Sequence, residues 1–273
     1  MRAMPIVPFG PTTISRLIIG GNPFSGNSHY NHRLDQEMVD YFTAQRIVEI
    51  LLQCQSLGMT AMQSRADRHI LRVIHEYRRQ GGTMQWIAQT ASELADLYKN
   101  VRDIAAHGAI AAYHHGSRTD RLWVEGRIDE VLPLLRAMRE AGLQVGLGTH
   151  FPEVIDYAEG KGWDLDFYMA SFYNLNRKPR DGAIVGGRTA AEVDAFVEAD
   201  REAMAQRILA TDKTVLAFKI LAAGRKCATP EDTREAFRWA YAHIKPTDAL
   251  VVGMFPKYRD QVTENIAYTC EFG

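Results

Sequence analysis

The stretch Gly58-Met59-Thr60-Ala61-Met62-Gln63-Ser64-Arg65-Ala66-Asp67 follows a long amphipathic helix and reads as a short buried strand that ends in an amide, a hydroxyl, a guanidinium and a carboxylate. Gly58 suits the left-handed turn that closes a helix, and the polar run marks the point where the strand stops. The same unit recurs along the chain. Strands are expected at Arg16–Gly20, Ala61–Gln63, Gln85–Gln89, Ala109–His114, Gln144–Gly148, Phe167–Ser171, Val215–Leu221 and Leu250–Gly253, each followed by a segment of helical period. Gly81-Gly82, Gly108 and Gly142 repeat the helix stop, and Pro152 and Pro230 mark the first turns of two later helices. Eight strand-helix pairs without a linker, charge block or low-complexity break predict an α/β chain folded as a single (β/α)8 TIM barrel spanning residues 1–273.

Composition narrows the partners. The 273 residues carry a formal net charge of -1, which provides no basic footprint for nucleic acid or an anionic membrane surface. A small diffusing molecule is the expected partner. Cys54, Cys227 and Cys270 are odd in number and far apart, without disulfide or zinc spacing, which fits a reducing cytoplasm. The N-terminal Met1-Arg2-Ala3-Met4-Pro5 lacks the start of an apolar leader, and no run reaches bilayer-spanning length. Oligomeric state leaves no mark in the sequence.

Barrel chemistry concentrates at the C-terminal ends of the strands, so the residues there are the candidates. They are Gly20-Gly21-Asn22 with His29 and His32 nearby; Gln63, Ser64, Arg65 and Asp67; Gln89 and Thr90; Tyr113-His114-His115; Thr149-His150; Tyr173-Asn174; Phe218-Lys219; and, past the last strand, Lys257 and Arg259. Gln63 and Arg65 lie two apart and share a face, either closing the barrel top as a polar pair or gripping a ligand. Alternation places one of His114 and His115 at the mouth and the other toward the helices. His115 and His150, on adjacent strand ends, are a conceivable metal pair, but Asp67 is the one carboxylate among the strand-end residues, and no metal site is expected. Lys219 offers a Schiff-base amine, an anion contact or half of an ion pair. His69, His75, His107 and His243 fall on helices as surface or packing residues.

Several of these strings, in order, resemble the aldo-keto reductase family. Ile14-Ser15-Arg16-Leu17-Ile18-Ile19-Gly20-Gly21 is similar to its first strand, Val145-Gly146-Leu147-Gly148-Thr149-His150 to its fifth and Ala217-Phe218-Lys219-Ile220-Leu221 to its seventh. Gln261-Val262-Thr263-Glu264-Asn265 is similar to its adenine-binding helix. The resemblance implies carbonyl reduction with NADP or NAD, held by Phe218, Thr149, Lys257, Arg259, Glu264 and Asn265. It also implies a catalytic Asp, Tyr, Lys and His, and here the chain departs. Gln63 stands for the Asp, Arg68 or a neighbour for the Tyr, and Thr90 or Ala91 for the Lys, while the histidine survives as His114 or His115. A glutamine beside an arginine polarises an oxygen but donates a proton poorly.

The expected function is therefore an oxidoreductase with altered acid-base groups acting on a small carbonyl or sugar-like molecule. His115 or His114 polarises its oxygen, and Gln63 and Arg65 orient it. A non-redox isomerase or lyase using His115, His150 and Lys219, with or without the assistance of a metal, or a ligand-binding pseudoenzyme, is the alternative. The long connection from Asn176 through Arg177, Lys178 and Arg180 to Arg188 reads either as a lid over an acidic group or as a solvated loop.

Overall fold

Short β-branched and aliphatic runs, bounded by glycine stops behind and polar residues ahead, form strands buried on both faces and close into a ring. The computed structural model describes residues 3–175 and 196–273; the connection expected as a lid lies outside them. A hairpin of β1 (Ile6–Phe9) and β2 (Thr12–Ser15) comes first. The barrel strands are β3 (Leu17–Gly20), β4 (Ala61–Arg65), β5 (Gln85–Gln89), β6 (Ala109–His114), β7 (Gln144–Thr149), β8 (Phe167–Ser171), β9 (Thr214–Phe218) and β10 (Ala249–Gly253). All eight are parallel, in the closed order β10-β3-β4-β5-β6-β7-β8-β9. The expected (β/α)8 TIM barrel is what the chain forms.

Helices fill the connections: α1 (His32–Tyr41), α2 (Ala44–Ser56), α3 (Arg68–Arg79), α4 (Leu97–Ala106), α5 (Gly116–Val124), α6 (Leu132–Glu140), α7 (Pro152–Gly160), α8 (Glu198–Ala210), α9 (Pro230–Ala242) and α10 (Gln261–Phe272). Gly58, Gly81, Gly108 and Gly142 have φ of 94°, 91°, 74° and 78°, so each supplies the left-handed turn expected of it. Asp67 caps α3 by accepting from the Ile70 N–H at 2.9 Å, and α9 opens on a capping box of Thr229 and Asp232. No helix among the described residues is long and apolar enough to cross a membrane.

The core has two shells. Ile18, Ala61, Ile87, Phe167, Leu216 and Val251 point into the barrel, while Leu17, Met62, Trp86, Val145, Tyr168 and Leu250 point out against the helices. The N-terminal hairpin lies outside the eight expected strands. Its Val7, Phe9 and Ile14 belong to the inner shell and stopper the base, with the Phe9 ring edge-on to Phe167 at 5.1 Å. Gln85 donates to the Thr13 carbonyl at 2.8 Å and Gln144 to the Phe9 carbonyl at 3.2 Å, so two inward amides bind the stopper. Gly146 makes room for Phe167, whose ring atoms would lie 2.3–2.7 Å from any Cβ there.

Candidate active site

Inward parity brings Gln63 and Arg65 of β4, Gln89 of β5 and Tyr113 of β6 toward the open end. Gln63 Nε2 donates to the Tyr113 hydroxyl at 2.8 Å, and that hydroxyl donates to Gln89 Oε1 at 2.8 Å. Burial pushes the Tyr113 hydroxyl pKa up, so it stays a neutral phenol. Above it, Arg65 Nε donates to Glu93 Oε1 at 3.1 Å, its NH2 group contacts the other Glu93 oxygen, and Asp67 lies at 3.8 Å. Desolvation lowers the Arg65 pKa and Asp67 opposes it. Gln63 and Arg65 thus share the mouth face as expected, but Arg65 already holds an acid. Glu93 escaped the sequence reading because it sits beyond the strand end, in the loop after β5.

The two adjacent histidines part company. His114, 2% exposed, faces the helices with Nδ1 at 2.7 Å from Thr119 Oγ1, and burial, with Arg118 adding to it, lowers its pKa to about 3. His115, half-buried, turns to the mouth with Nδ1 at 2.9 Å from Ser92 Oγ, and its backbone N–H donates to Thr90 Oγ1 at 3.1 Å. Its pKa is held well below the ordinary value by burial first, then by Arg65, His114, His150 and Lys219, so it is a neutral imidazole near pH 7. His150, at the end of β7, is also buried. Its Nδ1 is 2.7 Å from Asp120 Oδ2, and its ring stands edge-on to Phe218 at 5.6 Å. Thr149 turns outward and donates to Asp120 Oδ1 at 2.6 Å. Among the described residues no group of three or more His, Cys, Asp or Glu is placed to hold a metal ion.

Beside the mouth, between the ends of β9, β10 and β3 and the start of α10, lies a cavity of about 270 Å³. Gln63, Phe218, Lys219, Arg259, Glu264 and Asn265 all line it. Arg259 Nε donates to Glu264 Oε2 at 2.7 Å, and the Lys219 ammonium lies 5.3 Å from the centre of the Phe218 ring. Lys257 stands outside, 3.8 Å from Glu37 of α1, and Thr149 is committed to Asp120, so neither joins the other four residues expected to hold the cofactor.

Backbone strain singles this cavity out. The four non-glycine residues with positive φ among the described residues are His29 (55°), Lys219 (65°), Ala222 (47°) and Ala223 (52°). They lie on the loops after β3 and β9 that wall the cavity. Each such residue costs about 1–3 kcal/mol, a cost that concentrates at functional sites. The expected seventh strand ran to Leu221; it stops at Phe218 because Lys219 turns left-handed there. One Arg225 nitrogen donates to the carbonyls of both His29 (3.1 Å) and Ala222 (3.2 Å), tying the strained loops together.

No family model and no curated protein matches the chain. Solved structures do. A truncated 3-deoxy-D-arabino-heptulosonate 7-phosphate synthase from Thermotoga maritima is similar with a TM-score of 0.56 and 11% identity, covering 98% of this chain and 91% of that one. The glycerol dehydrogenase AKR11B4 from Gluconobacter oxydans is similar with a TM-score of 0.52 and 12% identity, covering 96% and 89%. At such identities the likeness is one of fold.

Proposed function

We propose that the protein is an aldo-keto-reductase-like oxidoreductase that binds NADP or NAD in the strained cavity and a small, neutral, sugar-like carbonyl or hydroxyl compound at the adjoining mouth. The observation that carries this reading is the convergence of Phe218, Lys219, Arg259, Glu264 and Asn265 on one cavity next to Gln63. The lining fits the cofactor in kind. Phe218 offers a face for a flat ring, Lys219 and Arg259 offer charge for phosphate oxygens, and Glu264 and Asn265 offer acceptors and donors for a base or ribose. At about 270 Å³ the cavity lies just below the range of about 300–1,000 Å³ usual for ligand pockets, so it suits one end of a dinucleotide.

When bound, the nicotinamide would supply or accept a hydride. The chain's own residues position the oxygen of the substrate: neutral His115 accepts or donates a hydrogen bond there, Arg65 presents its guanidinium, and the Gln63–Tyr113–Gln89 chain offers uncharged polar groups that suit hydroxyls. The Arg65 charge is balanced by Glu93 and Asp67, which favours a neutral substrate over an anionic one. A non-redox isomerase or lyase remains a second reading, favoured by the His150–Asp120 pair, which needs no hydride carrier to move a proton. Fluorescence titration with NADH and with NADPH separates the two. The oxidoreductase reading expects a Kd in the micromolar range for at least one form, weakened at least tenfold by Lys219→Ala; no binding of either at millimolar concentration overturns it.

A further inference from the structure

Asp120 has no solvent exposure, and a buried carboxylate is costly unless donors surround it. Among the described residues the end of β7 supplies such donors: Thr149 Oγ1 at 2.6 Å, the His150 backbone N–H at 3.2 Å from each oxygen, and His150 Nδ1 at 2.7 Å. An ionised carboxylate only accepts, which assigns the Nδ1 position as the protonated one. With Nδ1 committed to Asp120, any proton His150 exchanges with a ligand passes through Nε2.

The fold brings this pair to the mouth by close backbone approach. Gly116 opens α5, and a Cβ on it would lie 3.3 Å from the Gly148 carbonyl carbon and 3.5 Å from His150 Cε1. The first turns of α5 therefore press against the end of β7, and Asp120 meets His150 there. The ring of His150 contacts Phe218, which lines the cavity, and His115, Lys219, Tyr113 and Arg65 with its partners Glu93 and Asp67 are among the ionisable groups gathered at this end. The two mouth histidines are equipped differently. His115 has a serine hydroxyl on Nδ1, whereas His150 has a buried carboxylate that stabilises the imidazolium.

We propose that His150 is the proton-transfer residue of this site and that Asp120 is its positioning residue. In the oxidative direction the substrate O–H bond breaks and the proton forms an N–H bond at His150 Nε2, while the electron pair left on oxygen closes the C=O bond as the hydride on the same carbon leaves to NAD+ or NADP+. In the reverse direction that N–H bond breaks and the proton passes to the carbonyl oxygen, while the carbonyl carbon gains the hydride of a nicotinamide nucleotide and the C=O π pair moves to oxygen. The proposal rests on the mouth being the active site, as in the preceding reading. The proton step itself serves a non-redox reaction equally.

Nitrogen-15 NMR of the histidine-labelled full-length protein tests the assignment without a substrate. The wild-type His150 ring should carry its proton on Nδ1, and Asp120→Asn should lower its titration midpoint by at least about one pH unit. A second measurement follows reduction of NAD+ and NADP+ with glycerol, xylitol and sorbitol as probes. On any probe turned over, Asp120→Asn should cut kcat about 100-fold or more with KM within about threefold, and His150→Gln should do at least as much. An Nε2–H tautomer in the wild type, a midpoint unmoved by Asp120→Asn, or unchanged kcat each overturns the proposal. If no probe is turned over, or Asp120→Asn does not fold, the wild-type tautomer decides. Titration of the wild type with NADH and NADPH decides the nucleotide reading separately, so the two fail independently.

Discussion

Arg65 sits between two regimes of electrostatics. Its side chain is 12% exposed, yet its partners Glu93 and Asp67 keep 25% and 21% of theirs in contact with solvent. Breaking a fully buried pair costs about 3–5 kcal/mol and an exposed pair less than about 1. Arg65→Met should therefore destabilise the fold by about 1–2 kcal/mol in urea unfolding, and adding Glu93→Gln should restore part of the loss by removing the stranded charge. A loss below about 0.5 kcal/mol would show a solvated, dispensable pair. Period-2 alternation made it legible that Gln63 and Arg65 share a face and that His114 and His115 do not. Which histidine faces the mouth was not legible, because that depends on the register of β6 within the ring. Asp120 was illegible for another reason. It lies in the interior of α5, 30 residues from His150, and only the packing of α5 on β7 joins them.

At the scale of elements, glycine stops and apolar runs located all eight barrel strands to within a few residues. The exception at Lys219 is instructive, since an apolar run continues through Ile220 and Leu221 while the backbone leaves the sheet. Composition carries no signal for a non-glycine left-handed residue. The β1–β2 stopper escaped because four-residue strands broken by Pro8 and Gly10 look like a loop. Its inner contacts make a direct test of packing. Gly146→Ala places a methyl group against the Phe167 ring and should cost about 1–3 kcal/mol by overpacking. Phe167→Leu in the same chain should recover part of that cost. A double-mutant cycle on unfolding free energies reads the coupling, and strict additivity would mean that the ring does not fill the space beneath β7.

For the whole molecule, the buried histidines set the response to acid. The folded-state pKa of His114 lies near 3 and that of His115 is also well depressed, whereas unfolded histidines titrate near 6.5. Below about pH 6.5 the unfolded chain takes up protons that the folded chain refuses, so stability falls with pH in that window and levels off only as the folded values are reached. Between pH 6 and 5, His114 contributes about 1.2 kcal/mol per pH unit, and His115 acts in the same direction. His114→Gln should remove about that much from the slope of unfolding free energy against pH, and an unchanged slope would mean that His114 is protonated in the native state. Closure of the ring carries a different consequence. Leu17 of β3 pairs in register with Leu250 of β10, so the first barrel strand synthesised is completed by the last. At about 5–20 residues per second, the ribosome takes on the order of ten to fifty seconds to deliver β10 after β3. Throughout that interval one flank of β3 offers its amides and carbonyls to any passing strand, which makes this edge the place where the nascent chain is most open to capture by a chaperone or by another copy of itself.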